Sequence, residues 1–367
     1  MSRKDESPMS VSVIRFGIIG CGNIAHDVHI PGILAARDTV ITAIADPNPD
    51  RLEKTRVLLG LPPDAAFADE TALLDSGLVD AVTICTPNLH HVPTAIAAVR
   101  RGIAFACEKP LSVDAPTAKP LVDLVQQTGV KAMICYSYRF KKAARYARDL
   151  LACGRIGTIR HIYVRYLQSW GNPEKDCPRV WRFDRAASGS GTLADLGSHM
   201  LDLVRFLTQQ EYTCFTAQNG TFVHERRSAD PAKNGAPEAV DVDDYAHFFA
   251  QTTGGIAASF EISRNAFGRG NYQQIEIYGD RGALIYTLDG DDTLSICEGA
   301  DEISHRFRQM EIPETYNVSQ MQCFVDRMRG DESGLGATVS DAYEGMCAMD
   351  EIIRSSECGI TVKHILP

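Results

Sequence analysis

The sequence predicts two units of different class: an N-terminal α/β domain on a parallel sheet, then an α+β domain on a mostly antiparallel sheet. Three observations carry this. The 367 residues suit two domains at about 150 residues each. The first third alternates short unbroken apolar runs with helix-length stretches, the mark of βαβ units whose strands are buried on both faces. Beyond about residue 135, strand-like runs follow one another through Gly-containing turns with few helices between. The expected domains are residues 11–134 and 135–367.

Taken in order, the runs are Val13–Ile19 ending at Gly20, Val40–Ala45 ending at Asp46, Ala81–Cys85, Ile103–Cys107 and Val130–Cys135. Helices are expected between them, as at Pro93–Arg101 and Thr117–Gln127. The second part opens with a helix over Lys141–Ala152 and an alternating strand over Thr158–Gln168. Ser190–Leu207 carries apolar residues at 193, 196, 200, 203 and 207, which is helical spacing. Strands follow at Val242–Gln251, Gly255–Ser263, Tyr272–Tyr278 and Ala283–Leu288, and helices near 317–329 and 339–355 close the chain. Arg227–Glu238, rich in Pro, Gly and charge, reads as a surface loop.

Composition narrows the function. Hydrophobic residues make up 44% and charged residues 23%, which excludes whole-chain disorder. A net charge of −10 argues against nucleic acid or an anionic membrane as the main partner, since either needs clustered positive charge. The 11 cysteines include no CxxC, which removes zinc-ribbon and thioredoxin-type readings. Cys85, Cys107 and Cys135 sit in apolar runs and read as buried thiols of a reducing compartment. The polar start MSRKDESPMS has no signal-peptide core, and no run approaches a membrane span, so a cytoplasmic protein is expected.

Gly20-Cys21-Gly22-Asn23-Ile24-Ala25 is GxGxxA, placed between a strand and a helix. The first Gly permits the tight turn, the second lets backbone approach a pyrophosphate, and the small third residue lets helix pack on strand. The helix start, with Asn23 and Ile24, then offers free N–H groups to phosphates. An ordinary glycine-rich turn has the same residues, but the strand–turn–helix context and a carboxylate at the next strand end favour a dinucleotide. Asp46 is that carboxylate, placed to bond the ribose hydroxyls of NAD and to repel the extra phosphate of NADP. Arg51, five residues on, offsets that repulsion, so NAD is favoured with NADP left open. Thr86-Pro87-Asn88 and Glu108-Lys109-Pro110 follow parallel strands and belong to the ligand-binding carboxyl edge. His90 reads as a cofactor-loop residue; His91, counted with that loop, also reads as structural. No carboxylate cluster accompanies this pair, so no metal is expected. His26 and His29 are assigned structural roles.

Asp195 and His199 are four apart, on one helical face, and Asp202 follows at the next turn. A histidine accepts a proton near neutral pH and a carboxylate orients it. Alone, DxxxH is commonly a helical hydrogen-bonded pair and Lys109 a solvated lysine.

Together these residues carry a resemblance. GIIGCGNIA at 17–25, CTPNLHH at 85–91, CEKPLS at 107–112, YSYRF at 136–140, GRIGTIRHI at 154–162 and GSGTLADLGSHMLDL at 189–203 stand in the order and spacing of the glucose–fructose oxidoreductase/inositol dehydrogenase (Gfo/Idh/MocA) family. The resemblance implies a Rossmann domain followed by a domain with an open, mostly antiparallel sheet that serves the active site and oligomerisation, with a dimer or tetramer expected. It implies that Lys109 is the lysine of the EKP motif, with a cis bond to Pro110, and that Asp195 and His199 belong to the DxGxHxxD block. Ser188 and Ser190 depart from positions where the family often has glycine.

The stretch 166–191 resembles members acting on inositols, pyranosides or anhydrosugars such as levoglucosan. The expected reaction is oxidation of a ring alcohol to a ketone with NAD. His199 takes the proton, Lys109 binds the reacting oxygen, and Asp195 holds a neighbouring hydroxyl and helps position His199. Tyr138, Arg165, Gln168, Trp170, Trp181 and Arg182 are further sugar-contact candidates, because aromatic faces suit C–H faces of sugars and forked donors suit hydroxyl pairs. The rival readings are an NAD-retaining glycosidase that uses transient oxidation and a non-catalytic NAD(H) sensor.

Overall fold

The computed structural model describes residues 12–365; the MSRKDESPMS stretch, and the first residue of the expected N-terminal domain, lie outside them. The first sheet has six strands: β1 Ile14–Ile19, β2 Thr39–Ala45, β3 Ala66–Phe67, β4 Ala81–Ile84, β5 Ala104–Cys107 and β6 Ala132–Ile134. They are all parallel, in the order β3-β2-β1-β4-β5-β6. β4, β5 and β6 are wholly buried, which is why their sequences lack alternation. The order reverses beside β1, so the carboxyl ends of β1 and β4 frame the crevice where open α/β sheets bind ligands.

The helix expected at Pro93–Arg101 begins earlier, at Asn88, directly after an extended Pro87, and carries Pro93 within it. The Ala115–Thr128 helix starts at Asp114, whose carboxylate accepts from the Thr117 N–H, and ends at Gly129 with φ 68°.

The second sheet contains β7 Ile159–Leu167, β8 Tyr212–Gly220, β11 Tyr245–Thr252, β12 Ala257–Ser263, β13 Tyr272–Gly279, β14 Gly282–Asp289, β15 Asp291–Glu298, β16 Arg308–Gln309 and β17 Val362–Lys363. A small hairpin of β9 Glu225–Arg227 and β10 Pro237–Ala239 brackets the segment read as a loop, whose residues 228–236 connect the two strands. The nine-stranded order is β16-β15-β14-β13-β7-β12-β11-β8-β17, antiparallel everywhere except β7 with β12. Along β7, Ile162, Val164 and Tyr166 are buried while Tyr163 and Arg165 are exposed, so one face is core and the other is not. Helices Lys142–Ala152 and Val339–Cys358 pack on the inner face, and Ser198–Thr208 packs against both.

The Ser190–Leu207 prediction is modified. A π-helical turn, Leu193–Gly197, precedes the α-helix Ser198–Thr208. The chain also returns to the first domain: Phe324 of the Gln320–Met328 helix stacks edge-on against Phe16 of β1, ring centres 6.1 Å apart. Arg327 then donates to the Ala132 carbonyl at 2.8 Å and the Gly336 carbonyl at 2.7 Å, tying the C-terminal segment to β6.

Candidate active site

The glycine turn has the shape its sequence requires. Gly20 has φ +92°, and a Cβ there would stand 2.8 Å from the Cys85 carbonyl group. A Cβ on Gly22 would meet nothing within 4 Å, so the space above the turn is open for a ligand to approach the backbone. Asn23 and Ile24 are exposed at the helix start. Asp46, buried at the end of β2, accepts from the Cys21 N–H at 2.7 Å and the Asn48 N–H at 2.8 Å. Each oxygen has a lone pair left for a further donor. Arg51 is exposed in the first turn of the Pro49–Leu59 helix.

The two carboxyl-edge loops are held together by His91. This ring is buried and lies 2.8 Å from the Pro110 carbonyl through Nδ1 and 2.9 Å from the Thr86 carbonyl through Nε2. Burial lowers its basicity, so the neutral ring donates to one carbonyl at a time. His91 therefore acts on these loops from beneath, while His90 is exposed. The Thr86 hydroxyl is buried without a partner. Pro87 starts the helix, and Asn88 donates to the Ser188 carbonyl at 2.9 Å, reaching into the second domain. Glu108 faces inward to His29, Nε2 to Oε1 2.9 Å, and the bond between Lys109 and Pro110 is cis. Burial pushes the Glu108 carboxyl up, but its bond to His29 prevails and holds it below the usual range. His26 lies 2.9 Å from the Thr55 hydroxyl.

Lys109 and Asp195 meet across the domains. Lys109 Nζ donates to the Asp195 carbonyl at 2.7 Å and to its carboxylate at 3.2 Å. Arg182 adds its guanidinium 3.7 Å from the same carboxylate oxygen, lying over the Trp181 ring. Burial raises the Asp195 carboxyl, but Lys109 and Arg182 outweigh it and hold it at about 2. The turn that carries this carboxylate is anchored from two sides. Asp243 accepts from the Gly191 and Leu193 N–H groups, each at 2.8 Å, and Ser190 accepts from the Ala194 N–H at 3.0 Å. Ser190 thereby satisfies one of the free N–H groups at the start of this helix. Ser188, the other departure, donates to the Asp184 carbonyl at 2.8 Å.

His199 is 7% exposed and its Nδ1 has no hydrogen-bond partner. Its ring packs edge-on against Tyr138, centres 4.4 Å apart. Burial, then the Lys109 charge, depress its basicity well below the usual value, so the imidazole is neutral and able to accept a proton. Among the described residues no hydrogen bond joins Asp195 to His199: the carboxylate expected to orient the histidine is turned to Lys109 instead. Asp202, one turn on, is also directed away, into a buried bidentate pair with Arg139 at 2.7 and 2.6 Å.

Beside His199 runs a polar chain. Tyr138 and Tyr166 hydroxyls are 2.7 Å apart, and Tyr166 donates to Asn271 Oδ1 at 2.7 Å. Gln168 donates to that same oxygen at 2.7 Å and accepts from the Trp170 indole at 2.7 Å. Of the expected sugar contacts, Tyr138, Gln168, Trp170, Trp181 and Arg182 gather here or beside Asp195. Arg165 does not. It projects from the opposite, exposed face of β7 and pairs with Glu261 at 2.8 Å. Strand alternation is the reason: Tyr166, its neighbour, takes the inward place.

Three residues at this wall were not singled out from sequence: Tyr166, Asn271 and Gln273. Gln273 is fully buried opposite Tyr166, with both amide atoms unpartnered. A signal existed, since Gln273 shares the inward face of β13 with Ile275 and Ile277.

A dinucleotide cradle at the carboxyl edge of one sheet, with a lysine of that edge paired to a carboxylate of the next domain, makes this chain an NAD-binding oxidoreductase. Residues 14–136 match a family profile described as the oxidoreductase family with an NAD-binding Rossmann fold, and residues 144–285 match the GFO/IDH/MocA C-terminal domain. The chain belongs to the Gfo/Idh/MocA oxidoreductase family. It is 30% identical to levoglucosan dehydrogenase of Pseudarthrobacter phenanthrenivorans over 276 residues, 72% of this chain and 69% of that one. It is 26% identical to inositol 2-dehydrogenase of Rhizobium meliloti over 346 residues, 93% of this chain and 96% of that one. A solved levoglucosan dehydrogenase in complex with NADH and L-sorbose superposes with a TM-score of 0.86 at 26% identity, covering 96% of this chain and 99% of that one. Among the described residues, no helix is long and apolar enough to cross a membrane.

Proposed function

We propose that this enzyme oxidises one secondary alcohol of a sugar or cyclitol ring to a ketone, with NAD as acceptor. The observation that carries the reading is the Lys109–Asp195 pair set beside a buried, neutral His199 with an unpartnered nitrogen. When bound, NAD supplies the hydride acceptor. Gly20, Gly22, Asn23 and Ile24 would hold its pyrophosphate through backbone approach and N–H groups, and Asp46 its ribose hydroxyls. The open space over Gly22 and the free lone pairs of Asp46 fit that group. Arg51, exposed in the helix that follows Asp46, would be available to a 2′-phosphate.

His199 takes the hydroxyl proton of the substrate. Lys109 donates a hydrogen bond to the same oxygen and stabilises the negative charge that develops as the proton leaves. Asp195 keeps Lys109 in place and accepts from a neighbouring ring hydroxyl. Trp170 and Trp181 offer apolar faces to the ring, while Gln168, Asn271 and Arg182 supply polar contacts. Glu108 supports this edge through His29 and its own backbone; His91 holds the Thr86 and Pro110 loops in register. The activities named for the levoglucosan and inositol relatives support the substrate class.

The test is NADH absorbance on mixing the protein and NAD⁺ with a panel of inositols, pyranosides and anhydrosugars, repeated with NADP⁺. Net NADH with one ring polyol is expected. NAD binding without NADH formation across the panel would defeat the reading. Homo-oligomerisation belongs to the same proposal: the outer sheet face exposes Tyr163 and Phe249, and light scattering should report more than one chain.

A further inference from the structure

The polar wall beside His199 has a second layer behind it. Gln273 of β13 stands opposite Tyr166 of β7 in the sheet register, and both side chains lie on the buried face. Tyr286 of β14 pairs with Ile275, which sets it diagonal to Gln273 on that same face. Long or aromatic side chains on such a diagonal are within reach of one another. Gln273 and Tyr286 are each 0% exposed. Both amide atoms of Gln273 and the Tyr286 hydroxyl have no hydrogen-bond partner among the described residues. Native proteins rarely leave buried polar atoms unpaired, and several gathered in one place mark an ordered water.

The bonds in front of this layer leave room for one more. Tyr166 donates to Asn271 Oδ1 at 2.7 Å, so the 2.7 Å contact between the two phenols is a bond from Tyr138 to Tyr166. Tyr166 also accepts from Gln168 Nε2 at 3.2 Å. A hydroxyl oxygen gives one proton and offers two lone pairs, so Tyr166 is filled. Tyr138 accepts from Asn271 Nδ2 at 3.1 Å and keeps one lone pair. Burial pushes both phenols up, and at each of them the Gln273 amide works the other way, as a donor facing the oxygen does.

We propose that Gln273 is a positioning residue for this wall: its amide, the Tyr286 hydroxyl and the free lone pair of Tyr138 hold one buried water, which fixes the phenol packed against His199. Three partners are the usual number for a buried water. A methionine would fill the place of Gln273 at similar volume with no polar atom to satisfy, so folding alone gives no reason for an amide in this layer. No bond is made or broken at the water. Its effect on turnover rests on the dehydrogenase reading above; its presence does not.

Two measurements test this on the whole chain. A high-resolution crystal structure should show a water bonded to the Gln273 amide and the Tyr286 hydroxyl. Ordered side chains with no density between them would overturn the proposal, whatever the enzyme oxidises. The second measurement compares Gln273→Met and Tyr286→Phe with wild type, using the ring polyol of the panel above that yields most NADH. Gln273→Met should raise KM about 10-fold and leave kcat within about threefold, because Lys109 and His199 keep their places. NADH affinity should stay constant, since the Gly20 turn lies in the other domain. Tyr286→Phe removes a single hydroxyl and should raise KM in the same direction by less, which keeps the test readable if Gln273→Met does not fold. Unchanged KM in the folded variants, with or without a loss of thermal stability, would leave a structural role only and overturn the proposal. A panel without turnover would remove the dehydrogenase reading, and the crystal structure would then decide this one alone.

Discussion

Lys109 Nζ lies 2.7 Å from the backbone carbonyl of Asp195 and 3.2 Å from its carboxylate, so one ammonium ties the EKP turn of the first domain to the π-helical turn that leads into the His199 helix. The lysine thereby has two partners before any substrate arrives. Replacing Lys109 by Met should remove charge stabilisation at the reacting oxygen and lower kcat by about 100-fold or more. NADH affinity, read by fluorescence titration, should change little. Turnover within a few-fold of wild type would remove Lys109 from the mechanism.

The same pair makes a pH prediction. Asp195 is held at about 2, chiefly by Lys109 and Arg182 working against burial. A carboxyl depressed on folding adds stability above its unfolded value, near pH 4, and loses it as pH falls toward 2. In Lys109→Met the Asp195 carboxyl should titrate higher, and acid unfolding should begin at a higher pH. Coincident acid-unfolding curves for wild type and variant, followed by circular dichroism, would contradict the pairing.

His199 is depressed in the same direction, but by burial rather than by a paired charge. It is buried neutral, and its folded basicity is depressed below that of the unfolded chain. The unfolded state binds the extra proton near pH 6.5, so stability should fall as pH drops through that value. Oxidation should keep its rate into mildly acidic pH before the histidine protonates. His199→Gln should lower kcat by about 10²–10⁴-fold and flatten the acidic limb of the pH–rate profile; an unchanged limb would assign the base elsewhere.

Asp46 serves both the turn and the cofactor. Asp46→Ala removes the acceptor for the Cys21 and Asn48 N–H groups, which should cost about 1–3 kcal/mol of stability. It also removes the charge that disfavours a 2′-phosphate. The ratio of NADP to NAD affinity, measured by calorimetry, should rise, and a ratio that stays constant would mean the ribose lies elsewhere.

Arg139 and Asp202 form a buried bidentate pair, with side chains 8% and 3% exposed. Arg139→Leu leaves Asp202 buried and uncompensated and should destabilise by about 3–5 kcal/mol. Adding Asp202→Leu should recover much of that loss. Equal unfolding midpoints for the single and double variants would show that the two do not interact.

The contrast between Lys109 and Arg165 shows how far spacing reached. Lys109 falls at the ligand edge because its motif follows a parallel strand, and such strand ends gather at one edge whatever else the chain does; its role comes from the family resemblance of that motif. Arg165 was chosen from an alternating strand, where alternation defines two faces without saying which one looks toward the site. The core decided that, by burying Ile162, Val164 and Tyr166 and turning Arg165 to Glu261. Asp195 and His199 were legible as a pair through their spacing, but the π-helical turn and the pull of Lys109 separate their partners.

By itself the sequence determined what depends on neighbours along the chain: the order and kind of most elements, the glycine turn before a helix, and the helical spacing that sets Asp195 and His199 four apart. These follow from periodicity and local backbone freedom, which act over a few residues. Only the tertiary structure decided which distant groups share a space. The meeting of His29 with Glu108, the wall of Tyr166, Asn271 and Gln273, and the return of Phe324 to Phe16 all arise when separate elements bury apolar faces together. That packing is a property of the whole core, and no local pattern records it.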